Sequence, residues 1–554
     1  MDNSKYTCHP RHRGFLQSIL DRFFAWLLGF PPERCSYTTT NVRIPVSIGL
    51  DRVDLASDLL RPQRKNDEKP LGTLLVRSPY GRGWPVVIIT RTYAARGYQV
   101  LLVSSRGTFG SGGEFDAFRD EVEDGKGVVE WMRKQAWYSG TFATLGGSYL
   151  GFTQWALLCD PPEDLITAVP IVGPHDFSRP AWETGALNLD LIRWGHGVAQ
   201  QEQYGPLRRA LLPARNIEPI IKSVPLVPNV RKFMGNGSPW MDSMMSKSDL
   251  SDPHYAPMQL YRSLERVNVP VLVVTGWYDL FLEQTMEQYA RLKERKCNVA
   301  LTVGPWSHIQ CAFASKSNQQ NFDWIEHFVA GKSEAKRTYT VQYFVTGAEE
   351  WRNIMSYPPT TSPRILYLQQ GGELVSQPSS AESGYSTFEF DPQHSTPTTG
   401  GNGLESGGCV DDTALAKRKD VLVFDTAPLT DELEFCGRPL VEITHSADSP
   451  FADIFVRISE VNKKGKSCNI TEAYMRLNPE RNSNERISLE LHPHAHRFLK
   501  GTKIRVLIAG GNFPHYARNH GIDNVGNTKT EMRIVKHTIK HDQADVSRVI
   551  FPVL

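Results

Sequence analysis

Three residues of the kinds that together turn a hydroxyl into a nucleophile each close an apolar run. Ser148 follows Phe142-Ala-Thr-Leu-Gly-Gly147, Asp279 follows Val269-Pro-Val-Leu-Val-Val-Thr-Gly-Trp-Tyr278, and His308 follows Val299-Ala-Leu-Thr-Val-Gly-Pro-Trp-Ser307. A serine hydroxyl of ordinary pKa needs a base. Imidazole titrates near neutrality, and a buried carboxylate fixes its tautomer and supports the imidazolium. Taken singly, each residue has a plainer reading: Ser148 as a turn former, Asp279 as a helix N-cap, His308 as a satisfied loop histidine. Three independent strand ends agreeing on one chemistry favours the joint reading, attack on an acyl carbon by Ser148. The developing oxyanion needs donors. The N–H of Tyr149, next after the serine, is the expected first donor, and the phenol of Tyr80, closing the strand Leu71–Tyr80, the expected second.

These residues must be positioned by a sheet. Ser148 lies where an apolar run ends in two glycines and a helix-compatible run begins at once, a strand–turn–helix elbow that lifts a side chain above the sheet. Strands at 42–49 and 53–60 read as an antiparallel pair. Strands at 71–80, 98–104, 142–147, 269–279 and 299–308 alternate with helices at 86–96, 121–134, 282–293 and 321–330, which predicts a doubly wound, mainly parallel sheet. In such sheets the sites lie outside the carboxyl ends of the strands. Residues 175–258 interrupt the rhythm with helical stretches (187–203, 206–211, 230–234) and predict a cap over the serine. From about 336 short alternating runs at 338–345, 364–369, 421–424, 440–444, 453–461, 487–491 and 503–509 predict a sandwich or jelly roll, with 376–405 as a long loop.

The 554 residues exceed one core, and roughly three or four domains are expected. With 62 Lys plus Arg against 60 Asp plus Glu, no global field points to nucleic acid. Eight cysteines without a C-x-x-C pair argue against a zinc site or disulfide framework and fit a reducing, cytoplasmic compartment. The apolar run Phe15–Phe30 is too short to span a bilayer, lacks a cleavage site, and stops at Pro31-Pro32. It reads as an amphipathic helix docked on the body, with lying on a membrane surface as the alternative. The glycine-rich loop 106–114 has no Gly-Lys-Ser/Thr and is not a phosphate loop. His492-Pro-His494-Ala-His496 reads as a solvated turn rather than a metal set, since Pro493 breaks the strand geometry. His175-Asp176 reads as a helix start. Trp240, Met241, Met244 and Met245 fit a pocket wall and a packing stripe equally.

Arg77-Ser-Pro-Tyr80, Arg106-Gly107 with Gly112-Gly-Glu-Phe115, Gly146-Gly-Ser-Tyr-Leu-Gly151, Gly276-Trp-Tyr-Asp279, Gly304-Pro-Trp-Ser-His308, Thr346-Gly-Ala-Glu-Glu-Trp351 and Gly511-Asn-Phe-Pro-His-Tyr-Ala-Arg-Asn519 occur in this order. Together they resemble the cocaine esterase and X-Pro dipeptidyl-peptidase-like hydrolases, which include α-amino-acid ester hydrolases and glutaryl acylases. The likeness runs from about Val42 to the end, and a glycine three places after the serine is that family's own pattern. After the N-terminal amphipathic segment (1–35), which the likeness does not reach, the resemblance implies an α/β-hydrolase domain in two parts (36–174 and 259–335), a helical cap (175–258) and a carboxyl-terminal jelly roll of galactose-binding-like type (336–554). It implies Ser148 as nucleophile, His308 as base, Asp279 as its orienter, Tyr80 and the Tyr149 amide as oxyanion hole, and Phe281 as a wall of the acyl pocket. Ala517 departs from the pattern, since relatives often carry Asp there; this bears on a local contact of the jelly roll rather than on the chemistry.

The expected activity is hydrolysis of a small ester or amide through an acyl-enzyme, with no cofactor or metal. The rivals are an acyltransferase or cyclase using the same residues, and a non-catalytic binding protein. The sequence names neither acyl nor leaving group, and it leaves open whether copies associate into a homo-oligomer.

Overall fold

The computed structural model describes all residues except 1–8, 49–50, 66–67, 203–215, 236–237, 333–336, 406, 481–484 and 545. The expected helical stretch at 206–211 therefore lies outside the described residues. An eleven-stranded sheet organises the first part. Its spatial order is Arg11–His12, Ser36–Ile48, Asp51–Gln63, Gln99–Ser104, Thr73–Ser78, Phe142–Gly147, Leu165–Ile171, Val271–Tyr278, Val299–Ser307, Val341–Val345 and Glu350–Ile354. From Gln99–Ser104 to Val341–Val345 neighbouring strands run parallel. These central strands are near-continuous Val/Ile/Leu runs, as burial on both faces requires, and Val271–Tyr278 is buried throughout.

The helical insertion enters after Leu165–Ile171 and leaves before Val271. It includes Asp190–Gln200, Leu226–Met234 and Pro239–Ser246. Trp240, Met241, Met244 and Met245 are buried in the principal core, so the packing stripe is what they form. The remainder is two facing β-sheets. Four strands, Val421–Asp425, Lys503–Ala509, Asp453–Val461 and Ser467–Arg476, make one, and the sheet that contains Leu440–Ala447 and Arg548–Val553 makes the other. Ile443, Ile454, Val456, Val506 and Phe551 meet between them. Ala517 sits buried where this half meets the insertion, its N–H donating to Leu187 O (2.8 Å).

Four sequence expectations need correction. The run at 338–345 does not open the jelly roll: Val341–Val345 pairs in parallel with Val299–Ser307, and Glu350–Ile354 pairs with it in turn. Its alternation is the same in either sheet, so only the tertiary pairing decides. The supposed loop 376–405 contains the strand Tyr385–Phe390 on Val535–Lys540, where Phe388 and Phe390 are buried; the Ser/Thr/Gly/Pro-rich flanks mask this period of two. His494 and His496 are not in a solvated turn. They lie buried in the strand His494–Phe498, both against the Thr346 hydroxyl (2.9 and 2.8 Å), because Pro493 precedes the strand, where its missing N–H is tolerated. The N-terminal helix Phe15–Leu27 is docked with the wrong face inward: Asp21 and Ala25 are buried while Phe15, Leu16, Phe23 and Trp26 are exposed.

Candidate active site

Ser148 sits between the strand Phe142–Gly147 and the helix Tyr149–Leu158, with φ 59° and ψ −124°. That region is unfavourable for a residue with a Cβ, and it persists only where the surroundings over-determine it. Here they do. Ser148 N–H donates to Ile171 O (2.9 Å), and Ser148 O accepts from Gly151 N–H (2.8 Å). Buried Gln154 donates through Nε2 to Gly146 O (3.1 Å) and accepts at Oε1 from Val169 N–H (3.0 Å), tying the helix to two strands. Gly146 has φ 154°, and a Cβ there would meet that of Leu150 at 2.5 Å.

Asp279 follows the strand Val271–Tyr278, and His308 opens the helix His308–Phe313 behind a Ser307 capping box with Gln310. Both are buried. Asp279 Oδ1 lies 2.6 Å from His308 Nδ1, and Asp279 Oδ2 accepts from the Thr275 hydroxyl at 2.8 Å. His308 Nε2 lies 2.9 Å from Ser148 Oγ. An ionised carboxylate can only accept, so Nδ1 carries the ring proton and Nε2 presents its lone pair to the serine O–H. Ser148 thus meets Asp279 and His308, both more than a hundred residues further along, in one hydrogen-bonded chain able to pass a proton from the serine to the ring.

Tyr80 and Tyr149 are at the same spot. The Tyr149 N–H is the first amide of its helix, where the amides point outward and the helix dipole favours negative charge. Burial raises the pKa of the Tyr80 phenol, against hydrogen bonds with Trp194 and Ser148. Trp194 Nε1–H donates to Tyr80 Oη (3.1 Å). An indole N–H only donates, so the phenol keeps its own proton to give elsewhere. The Arg77-Ser-Pro-Tyr80 motif has a supporting part as well. The Arg77 guanidinium donates to the Glu121 carbonyl (2.8 Å) and carboxylate, and Ser105 donates to that carboxylate (2.9 Å). Burial raises the Glu121 carboxyl even so.

Ser148 faces a narrow space lined by Tyr80, Phe118, Phe177, Leu191, Trp194, Phe281 and Leu404, among others. Phe281 also stands edge-on to the His308 ring, centroids 5.3 Å apart. Phe118 stacks on Phe177 (3.6 Å) and on Tyr149 (4.3 Å). Sequence reasoning missed Phe118, Trp194 and Leu404. Trp194 belongs to the insertion, and Leu404 comes from the all-β half, held by its N–H to Asp190 Oδ2 (2.9 Å). No local signal marks either. A larger cavity lies beside the helix Leu282–Glu294, but its charges pair internally, Arg179 with Glu287 and Arg438 with Glu283, and none of the residues around Ser148 lines it. His175 lies buried behind the cap entrance, with Nδ1 3.3 Å from Gln288 Nε2. Asp176 accepts from Ser178 N–H (2.8 Å), a turn just ahead of the helix Arg179–Trp182 rather than a cap on that helix.

Residues 51–310 match the X-Pro dipeptidyl-peptidase (S15) family, and residues 333–550 match the X-Pro dipeptidyl-peptidase C-terminal non-catalytic domain. A cocaine esterase of Rhodococcus sp. (strain MB1 Bresler) is 25% identical over 572 residues, covering 93% of this chain and 98% of the relative. The chain belongs to the cocaine esterase and X-Pro dipeptidyl-peptidase-like family. It is a hydrolase of that family, with an α/β-hydrolase domain, a helical cap insertion and a carboxyl-terminal jelly roll. Two solved structures share this fold at 20% identity. An α-amino acid ester hydrolase superimposes with a TM-score of 0.80, covering 94% of this chain and 97% of that one. An aminopeptidase from a marine sediment Thaumarchaeota archaeon gives 0.79, covering 95% and 98%. Among the described residues no helix is long and apolar enough to cross a membrane.

Proposed function

We propose that this hydrolase is a serine esterase for small substrates with an uncharged, largely apolar acyl group. Its nucleophile is Ser148, its base His308 and its orienting carboxylate Asp279. Support comes first from the two hydrogen bonds at His308, 2.6 Å to Asp279 and 2.9 Å to Ser148. Ser148 Oγ adds to the ester carbon as its proton passes to His308 Nε2. The oxyanion is held by the Tyr149 N–H and the Tyr80 O–H. The proton is returned to the leaving alkoxide, and water then repeats the sequence on the acyl-enzyme.

The acyl preference rests on the lining. A free α-ammonium group, as an aminopeptidase or an α-amino ester would present, needs a carboxylate to meet it in a dry site. Among the described residues around the cavity there is no Asp or Glu, and Phe281, Phe177, Trp194 and Leu404 face it instead. The same dryness favours a second reading, acyl transfer to an alcohol or amine, since it excludes competing water.

A fluorophosphonate probe and a panel of p-nitrophenyl esters test the proposal. Labelling of the wild type, its loss in Ser148→Ala, and faster cleavage of benzoyl or short acyl esters than of aminoacyl esters are expected. An unlabelled wild type would overturn the enzyme reading in favour of a binding protein, and an aminoacyl preference would overturn the acyl assignment. Product analysis with added alcohol or amine separates transfer from hydrolysis.

A further inference from the structure

The helix Phe15–Leu27 is built inside out. At about 100° per residue, Phe15, Leu16, Ile19, Leu20, Phe23, Trp26 and Leu27 fall within an arc of about 140°, and all seven point away from the protein. Phe15 is 81% exposed, Leu16 74% and Trp26 74%. Seven of the eighteen exposed large apolar side chains among the described residues crowd onto this one helix, which separates it from scattered surface hydrophobes of no consequence.

The opposite face, with Gln17, Ser18, Asp21, Phe24 and Ala25, is mixed, and it is the one that grips the body, through Ala25 and Phe24 against the core and through polar bonds. Gln17 Nε2 donates to Tyr37 Oη (2.8 Å), and Tyr37 Oη donates to Asp21 Oδ2 (2.6 Å). Arg13 Nε donates to Asp21 Oδ2 (2.9 Å), and its Nη1 to Glu33 Oε2 (2.9 Å). These buried bonds fix which way the helix faces. Turning the apolar arc inward would strip Asp21 of its partners.

We propose that Phe15–Leu27 is an in-plane anchor to an anionic lipid bilayer, its apolar arc sunk into the boundary between headgroups and acyl chains. An amphipathic helix with Trp, Phe and Leu side chains on one face lies in that boundary, and Trp26 is a residue type that prefers it. The charge pattern selects the lipid. The apolar arc carries no acid. Arg13, Arg22 and Arg91 share Asp21 and Glu33, which leaves the cluster positive, and Arg11 adds a further charge beside the helix start, where it donates to Asn41 Oδ1 (2.7 Å).

A second copy of the chain fits this face less well. Thirteen residues make a strip about 20 Å long, small against the roughly 800 Å² per partner of a stable interface. A two-fold axis there would also bring two positive rims together.

The test is flotation of the full chain with phosphatidylcholine vesicles and with vesicles containing about one third phosphatidylserine, beside light scattering without lipid. The wild type is expected to float with the anionic vesicles, with binding falling as salt rises. Leu16→Glu with Leu20→Glu is expected to reduce binding at least tenfold at an unchanged melting temperature, since both side chains are exposed, and Arg11→Glu to weaken only the anionic preference. A wild type that floats with neither vesicle overturns the proposal. So does a wild-type dimer that the double variant splits while neither form binds lipid. Equal binding to the neutral vesicles overturns the assignment to anionic lipid.

Discussion

Gly151 and Gly173 stand backbone to backbone: a Cβ built on Gly151 would lie 2.6 Å from Gly173 Cα, and one on Gly173 would lie 2.7 Å from Gly151 Cα. This contact lets the helix carrying the Tyr149 amide press onto the chain leaving the strand Leu165–Ile171. Both Cα atoms belong to the backbone, so neither can swing aside. Gly151→Ala must displace the helix, and a misplacement of about 1 Å can cost roughly a hundredfold in rate. The expected result is a folded protein, destabilised by about 1–3 kcal/mol, with kcat down by one to two orders of magnitude. Thermal melts and ester kinetics measure both.

Asp279 holds the ring of His308 in one tautomer. Asp279→Asn keeps the volume but offers Nδ1 a donor in place of an acceptor, turning the ring's lone pair away from Ser148. By analogy with other triads, kcat is expected to fall on the order of 10³–10⁴-fold with KM little changed. Unchanged kcat would identify a different orienting group.

Trp194 acts through Tyr80. Tyr80→Phe is expected to lower kcat by about 10²–10³. Trp194→Phe keeps an aromatic wall but removes the N–H, and should lower kcat several-fold. In the Tyr80→Phe background the same change should cost little more, because the oxygen it orients is gone. Equal effects of Trp194→Phe in both backgrounds would mark the tryptophan as packing alone.

Burial pulls the pKa of His175 down to about 3 from 6.5, with Arg179 adding to the shift. Between those values the unfolded chain binds a proton that the folded chain refuses, so stability falls as pH falls. At pH 4.5 the loss from this residue is about 2–3 kcal/mol relative to pH 7. His175→Gln is expected to flatten the acid limb of a plot of urea midpoint against pH, whatever it does to stability at pH 7.

The hydrogen-bonded chain of the candidate site was legible because its residues close strands whose apolar runs are themselves visible: Ser148, Asp279 and His308 each follow one. Tyr80 ends another. The pocket walls were not, since Trp194 and Leu404 arrive from segments whose approach no local pattern encodes. Val341–Val345 shows the same limit, its alternation serving either sheet. His494 and His496 looked solvent-facing by composition, yet both are buried, and one ring nitrogen of each meets the Thr346 hydroxyl. The N-terminal helix shows a different failure. Its amphipathic period was plain, but the rule that the apolar side turns inward does not hold where Tyr37 and Arg13 wait for a carboxylate.

Leu404 has one more consequence. The segment that carries it leaves the jelly roll, donates through Asn402 Nδ2 to the carbonyls of Trp277 (3.0 Å) and Asp279 (3.2 Å), and closes the side of the chamber facing the nucleophile. The β-rich half therefore supplies part of the wall beside Ser148 and is no appendage. A fragment cut before it would keep every reacting group and lose the shape that chooses what they react with. On the proposed mechanism, substrate range would then drift through changes in a module that carries none of Ser148, Asp279 or His308.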